Sequence, residues 1–185
     1  MSTAEKKAFL KKLVVLYDTR EKKNQHILEA LEGMGVISEE QKLDYGDYSF
    51  RWDGKDFRQT CVIERKANVD ELYGNLTFGR DTFEKEIAAA SVLSGSFTLL
   101  LENCKSEADL RAYRVPDWRM DASPQRKVQD IGRKCYPVIR SWEQRYRFHV
   151  RYVPDKERTA AEMLEVFYWY WHGYKKLTAP LRRRL

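Results

Sequence analysis

Gly46-Asp47 is followed, seventeen residues after the aspartate, by Glu64-Arg65-Lys66 and then by Asp70. Carboxylates are hard oxygen donors that suit a small divalent cation, and a lysine beside them adds a compact positive charge. Those are the groups that metal-assisted cleavage of a phosphodiester requires. If residues 58–66 form a strand, Glu64 and Lys66 share one face, while Cys61, Ile63 and Arg65 take the other. A solvated edge strand with alternating charge would show the same pattern. The position of Asp47 therefore decides the matter.

Two carboxylates that share an ion must stand side by side. Residues 42–52 and 58–66 read as an antiparallel strand pair around Asp53-Gly54 and Lys55-Asp56. A two-residue turn at Asp53-Gly54 pairs Asp47 with Thr60 and leaves Glu64 four positions away, about 13 Å along the strand. A loop centred between Lys55 and Asp56 puts Asp47 opposite Glu64. The second register, or a bulge that achieves it, is predicted in spite of the Asp-Gly turn signal.

The remaining elements follow from hydrophobic period and punctuation. Residues 1–12 read as a short polar, lysine-rich lead, partly helical. Leu13 to Tyr17 is a buried strand that ends at Asp18, and Ile27, Leu28, Leu31 and Met34 mark a helix over 24–34. Asp70 is predicted to cap a helix carrying Leu72, Tyr73 and Leu76; Gly79 interrupts it, and a longer helix resumes near Asp81. Phe97 to Leu101 is a central strand. A short helix over 106–113, a helix over 125–146 that Pro137 should kink or divide, a strand over 148–153 and a helix over 159–174 complete the chain. Alternation of this kind predicts an α/β fold, a mixed sheet of about five strands with helices on both faces. Residues 1–185 read as a single domain, with a core over 13–174 and terminal extensions at 1–12 and 175–185.

The 185 residues carry a net charge of +6 and are 43% hydrophobic, which excludes a disordered chain and suits a polyanionic partner. Cys61, Cys104 and Cys135 are odd in number and unpaired in spacing, and His26, His149 and His172 are scattered. A disulfide framework and a Cys/His zinc site are both disfavoured. No stretch resembles a signal peptide or approaches membrane-spanning length, so an intracellular location, in cytoplasm, nucleoid or nucleus, is expected.

In the last helix Phe167, Tyr168 and Trp171 extend an apolar stripe, and residues 166–171 are six large side chains in succession. A helix apolar almost all round wants a second partner surface. A second copy of the chain against Phe167, Tyr168 and Trp171, core packing alone, and stacking on unpaired bases are the accounts this stretch leaves open. Arg182-Arg183-Arg184 reads as a solvated basic tail.

Asp18-Thr19-Arg20-Glu21, Gly46-Asp47, Glu64-Arg65-Lys66-Ala67-Asn68-Val69-Asp70 and Gly79-Arg80 resemble the motifs of the XPF-type structure-specific endonucleases, G-D-(x)n-E-R-K-x-x-x-D preceded by D-x-R-E. The resemblance implies a restriction-endonuclease-like PD-(D/E)xK core and a DNA endonuclease using Mg²⁺ or Mn²⁺. It further implies that Asp47, Glu64 and the backbone carbonyl of Arg65 hold metal, with Asp18 another metal-site or water-orienting acid. Lys66 would hold the attacking water or offset phosphate charge. Arg20, Arg65 and Arg80 would contact phosphates, and Glu21 and Asp70 would orient those basic groups. The resemblance implies branched or single-strand-containing DNA as the substrate and makes a homodimer through Phe167, Tyr168 and Trp171 the preferred expectation. The helix-hairpin-helix and helicase parts common in the family are expected to be missing, as in a stand-alone, phage-type nuclease domain. A non-catalytic nucleic-acid-binding scaffold and a Holliday-junction resolvase are the alternatives.

Overall fold

The structure, a computed structural model, describes residues 3–115 and 129–182. Its elements in chain order are α1 (Thr3–Leu10), β1 (Leu13–Tyr17), α2 (Gln25–Gly33), β2 (Ile37–Glu40), β3 (Tyr48–Trp52), β4 (Lys55–Asp56), β5 (Cys61–Lys66), α3 (Val69–Thr77), α4 (Arg80–Leu93), β6 (Ser96–Glu102), α5 (Glu107–Ala112), α6 (Ile131–Tyr146), β7 (His149–Val153) and α7 (Thr159–Arg182). The strands form one mixed sheet of order β2-β1-β3-β5-β6-β7, with β4 paired to β3.

The sheet places its helices by a handedness argument. β1 and β5 are each antiparallel to β3 and so run the same way. From β1 the chain crosses through α2 to β2 on one side; from β5 it crosses through α3 and α4 to β6 on the other. Crossovers of one hand leaving in opposite directions lay their helices on opposite faces. Two hydrophobic cores result. Phe9, Val15, Ile27, Leu31, Phe50, Phe167 and Tyr168 pack α1, α2 and α7 on one face. Val62, Leu72, Phe83, Ile87, Leu99, Ile139 and Trp142 pack α3, α4 and α6 on the other.

Several expectations need correcting. The sheet has seven strands rather than five, because β2 and β4 carry no apolar signature: Ile-Ser-Glu-Glu is held by backbone pairing to β1, and Lys55–Asp56 by its hairpin. Only Tyr48–Trp52 of the predicted strand 42–52 is extended in the sheet, and β5 begins at Cys61 rather than at residue 58. Asn68, and not Asp70, caps α3, its side chain accepting from the Glu71 N–H at 2.8 Å. An Asn placed one residue before the first helical position competes better for those free N–H groups than an Asp inside the first turn. The N-terminal lead is a helix whose Phe9 is fully buried. Pro137 does not divide α6, which runs as one element from Ile131 to Tyr146, and the last helix continues to Arg182. The predicted helix start at 125–128 and Arg183-Arg184 lie outside the described residues. Among the described residues no helix is long and apolar enough to cross a membrane.

Both strand registers weighed from the sequence are present, at different points of β3. Arg51 pairs with Asp56 and Trp52 with Lys55 across the Asp53-Gly54 turn, where both residues have positive φ. Residues 57–60 then loop out, and β5 returns to the same edge of β3 with Tyr48 opposite Ile63. Phe57 pins the loop by stacking on Phe50 at 4.5 Å, and Ser49 Oγ donates to the Cys61 carbonyl at 2.8 Å. The extra residues set Asp47 beside the end of β5 instead of beside Thr60.

A candidate metal-dependent phosphodiesterase site

The site gathers at one end of the sheet, where β1, β5 and β6 finish and β3 begins. Crevices at the carboxyl ends of parallel strands are the usual place for a ligand in open α/β sheets. Gly46 makes the approach possible. Its φ is +65°, and a Cβ there would lie 2.4 Å from Val62 Cγ1 and 2.9 Å from the Ile63 carbonyl oxygen. With no side chain in the way, the Asp47 N–H donates to the Ile63 carbonyl at 2.9 Å, and Asp47 Oδ2 accepts from the Arg65 N–H at 2.7 Å. Gly46→Ala combines a positive-φ penalty with overpacking, together about 3 kcal/mol. Urea unfolding is expected to show that loss, and any metal-dependent cleavage should fall with it.

Asp47 and Glu64 both line a pocket of about 220 Å³, closed by Arg20, Tyr45, Gly46, Phe83, Glu86 and Ile87 among others. Burial and then the neighbouring Glu64 charge push the Asp47 carboxyl well above its ordinary range; the Arg65 N–H and Lys66 offset this only in part. Burial also raises Glu64, against the pull of Lys66. The Lys66 ammonium donates to Glu64 Oε1 at 2.8 Å and lies 4.8 Å from the centre of the Phe83 ring. Burial alone would lower the Lys66 pKa, but Glu64 and Asp47 outweigh it and hold the pKa above its usual value, so the group stays charged. A larger hollow of about 400 Å³ shares Asp44 with this pocket, but its Arg58 is already paired to Asp56 at 2.6 Å.

Two partly buried carboxylates in one pocket, both with raised pKa, suit a divalent cation, whose charge would relieve the repulsion that Asp47 feels from Glu64. Among the described residues no group of three His, Cys, Asp or Glu side chains is arranged to hold a metal ion. A magnesium site needs fewer, since one or two carboxylates plus water and phosphate oxygens suffice. The Arg65 carbonyl leaves β5 on the same side as its N–H, toward Asp47, and can add a third oxygen.

A profile of the ERCC4 domain matches residues 17–166. The chain belongs to the ERCC4 domain family. The fold is similar to that of XPF from Aeropyrum pernix, at TM-score 0.59 and 16% identity over 92% of this chain and 69% of that one. A structure of XPF from Aeropyrum pernix in complex with DNA gives TM-score 0.61 and 18% identity over 86% and 66%. No curated protein matches in a sequence comparison.

Within this ERCC4 domain the other candidate residues are placed unequally. Asp18 is fully buried, and its carboxylate is committed. Oδ1 accepts from the Arg20 N–H at 2.9 Å and from Arg20 Nε at 2.5 Å, and Oδ2 accepts from the Leu43 N–H at 2.6 Å. It braces Arg20 and the 41–45 loop and does not line the pocket, so the metal or water role expected of it is not seen here. Arg20 itself is held by Asp18 and the Leu43 carbonyl and remains two-thirds exposed at the pocket.

Arg65 departs most from expectation. Adjacent strand residues point to opposite faces, so Glu64 and Lys66 facing the pocket send Arg65 away from it. Its guanidinium is buried in a bidentate pair with Glu102, at 2.9 Å for each bond, and Glu21 adds a 3.4 Å contact. It is out of reach of a phosphate in the pocket. Asp70 accepts from the Tyr113 hydroxyl at 2.7 Å. Arg80 opens α4, exposed, with its guanidinium 5.7 Å from the Trp142 ring. Phe167, Tyr168 and Trp171 are core residues packed on Phe9 and Phe50, not a free dimer surface.

Two acids of the ERCC4 domain were missed. Glu86 lines the pocket from α4, and its charge adds to the rise at Glu64. Its signal was its place between the inward-facing Phe83 and Ile87. Glu102 was legible as the one carboxylate ending an apolar strand, Phe-Thr-Leu-Leu-Leu-Glu.

Proposed function

We propose that this chain is an endodeoxyribonuclease that uses Mg²⁺ or Mn²⁺ to hydrolyse phosphodiester bonds in branched or single-strand-containing DNA. The observation that carries the proposal is the meeting of Asp47 and Glu64 in one pocket, with the Lys66 ammonium hydrogen-bonded to Glu64, on an ERCC4-domain fold. Asp47, Glu64 and the Arg65 carbonyl would hold the ion. When bound, it would supply Lewis-acid polarisation of a phosphoryl oxygen and a lower pKa for water.

The protein groups divide the remaining work. Lys66, kept protonated by its two carboxylate neighbours, is a charge and hydrogen-bond donor for phosphate oxygens or water, not a general base. Arg20 is braced at the pocket by Asp18, and a guanidinium fixed in advance stabilises anionic oxygens without reorganisation. Arg80 offers a second exposed guanidinium on the α3–α4 side.

Structural selectivity rests on the α3–α4 junction. Phe78, the residue before Gly79-Arg80, is 94% exposed. A free aromatic face beside a cation suits an unpaired base and its phosphate. Phe78→Ala is expected to weaken binding to flaps and forks about tenfold, relative to duplex, with an unchanged melting temperature. Equal loss on every substrate would remove Phe78 from selectivity. Self-association belongs to the same proposal, with Trp169, half-exposed, as the side chain of the 166–171 stretch that a second copy can reach; sedimentation velocity measures it.

The deciding assay incubates the protein with labelled single strands, duplex, flaps, forks and four-way junctions, in Mg²⁺, Mn²⁺ or EDTA. Metal-dependent cutting is the expected result. DNA binding without cutting on every substrate would favour a scaffold, and paired symmetric nicks in junctions would favour a resolvase.

A further inference from the structure

Glu102 closes β6 on the face away from the pocket and is almost completely buried. Its Oε1 accepts from Arg65 Nε at 2.9 Å and from Thr159 Oγ1 at 2.6 Å, and lies 2.9 Å from His26 Nε2; its Oε2 accepts from Arg65 Nη2 at 2.9 Å. One carboxylate thus ties the starts of α2 and α7 and the ends of β5 and β6 together. An apolar pair of similar volume would stabilise such a place as well or better, because two ions must be stripped of water to build it.

What the ionic arrangement adds is direction. A guanidinium gripped at two nitrogens is fixed in both position and plane. Arg65 lies between Glu64 and Lys66, and its N–H holds Asp47 Oδ2 at 2.7 Å. We propose that Glu102 is a positioning residue for the pocket: by clamping Arg65 from below, it sets where the end of β5 carries Glu64, Lys66 and the Asp47 hydrogen bond. Thr159 serves the same end by orienting Glu102. Neither side chain touches the pocket. This inference rests on the nuclease reading for its catalytic consequence, but its geometric consequence can be measured without cleavage.

The test compares Glu102→Gln and Thr159→Val with Ile139→Ala, a buried substitution in the other core whose drop in melting temperature serves as the control. Four readouts are taken: hydrogen exchange of the Arg65 amide, Mn²⁺ binding followed by electron paramagnetic resonance, single-turnover cleavage, and DNA affinity in EDTA. Glu102→Gln is expected to speed Arg65 exchange beyond the global change, raise half-saturating Mn²⁺ about fivefold and slow cleavage about tenfold, since small misplacements of reacting groups cost rate steeply. DNA affinity in EDTA should stay within about twofold, because no phosphate contact is removed. Thr159→Val, which deletes one hydrogen bond, should move the same readouts less and covers the case in which Glu102→Gln does not fold. If both variants match Ile139→Ala in exchange, Mn²⁺ binding and rate at equal stability, Glu102 is structural only. Failure of the wild type to cut any DNA would defeat the nuclease reading and leave the exchange and Mn²⁺ results to decide the role of Glu102.

Discussion

Asp47→Asn is expected to make the protein more stable and inactive at once. In the absence of metal, Asp47 and Glu64 are like charges at the edge of a low-dielectric pocket, and burial together with Glu64 raises the Asp47 pKa. For an acid whose folded pKa is raised, ionisation at neutral pH costs stability, so removing the charge returns it. The asparagine oxygen can still accept the Arg65 N–H that Oδ2 accepts now at 2.7 Å. A gain of about 1 kcal/mol, or about 3 °C in melting temperature for a chain of this size, should appear in EDTA. Saturating Mg²⁺ stabilises any protein that binds it only when folded, by about 2.7 kcal/mol at a hundred times Kd. Wild type should show that shift and Asp47→Asn should not, while cleavage falls about a thousandfold. A variant that keeps the Mg²⁺ shift, or cuts normally, would move the ion site away from Asp47.

Glu102→Ala should produce the largest loss of stability. The bidentate Arg65 pair is buried on both sides, and deleting the carboxylate leaves the guanidinium with only the 3.4 Å contact to Glu21. Breaking a buried pair from one side costs about 3–5 kcal/mol, most of it from the stranded charge. Urea denaturation measures this, and the double change Arg65→Met/Glu102→Leu should recover much of it. The same group predicts an acid limit. Burial would raise the Glu102 carboxyl, but Arg65, Thr159 and His26 outweigh it and hold its pKa below the ordinary value; Asp18 is likewise lowered, by Arg20 and the Leu43 N–H acting against burial. Carboxylates depressed on folding contribute stability above their unfolded pKa, and that contribution fades as pH falls through the folded one. Unfolding free energy should therefore be held at neutral pH and decline below about pH 4, where unfolded carboxylates take up protons. A flat profile through that window would show that these two acids carry little of the fold.

The sequence displayed the site better than it displayed the sheet. Glu64 and Lys66 could be assigned to one face because strand alternation depends on chain geometry alone. The need for Asp47 opposite Glu64 likewise selected a register that the fold contains. What stayed hidden was how that register coexists with the Asp53-Gly54 hairpin, since the looped-out residues 57–60 are stabilised by Phe57 against Phe50, a contact between segments. β2 and β4 escaped notice because backbone pairing leaves no trace in side-chain pattern.

Residue types and spacing by themselves determined that Glu64 and Lys66 share one face of a strand, with Asp47 in the segment that must pair beside it, and that helices alternate with strands around them. Only the tertiary structure decided the duties of the charged groups near them. Asp18 became a brace, Arg65 turned under the sheet to Glu102, and Phe167, Tyr168 and Trp171 of α7 became core. The physical reason is that a charge in a sequence specifies what it can bind, while the partner it meets depends on which distant element folding brings beside it. Local periodicity fixes the face a side chain takes, and long-range packing fixes whether that face meets solvent, substrate or another charge.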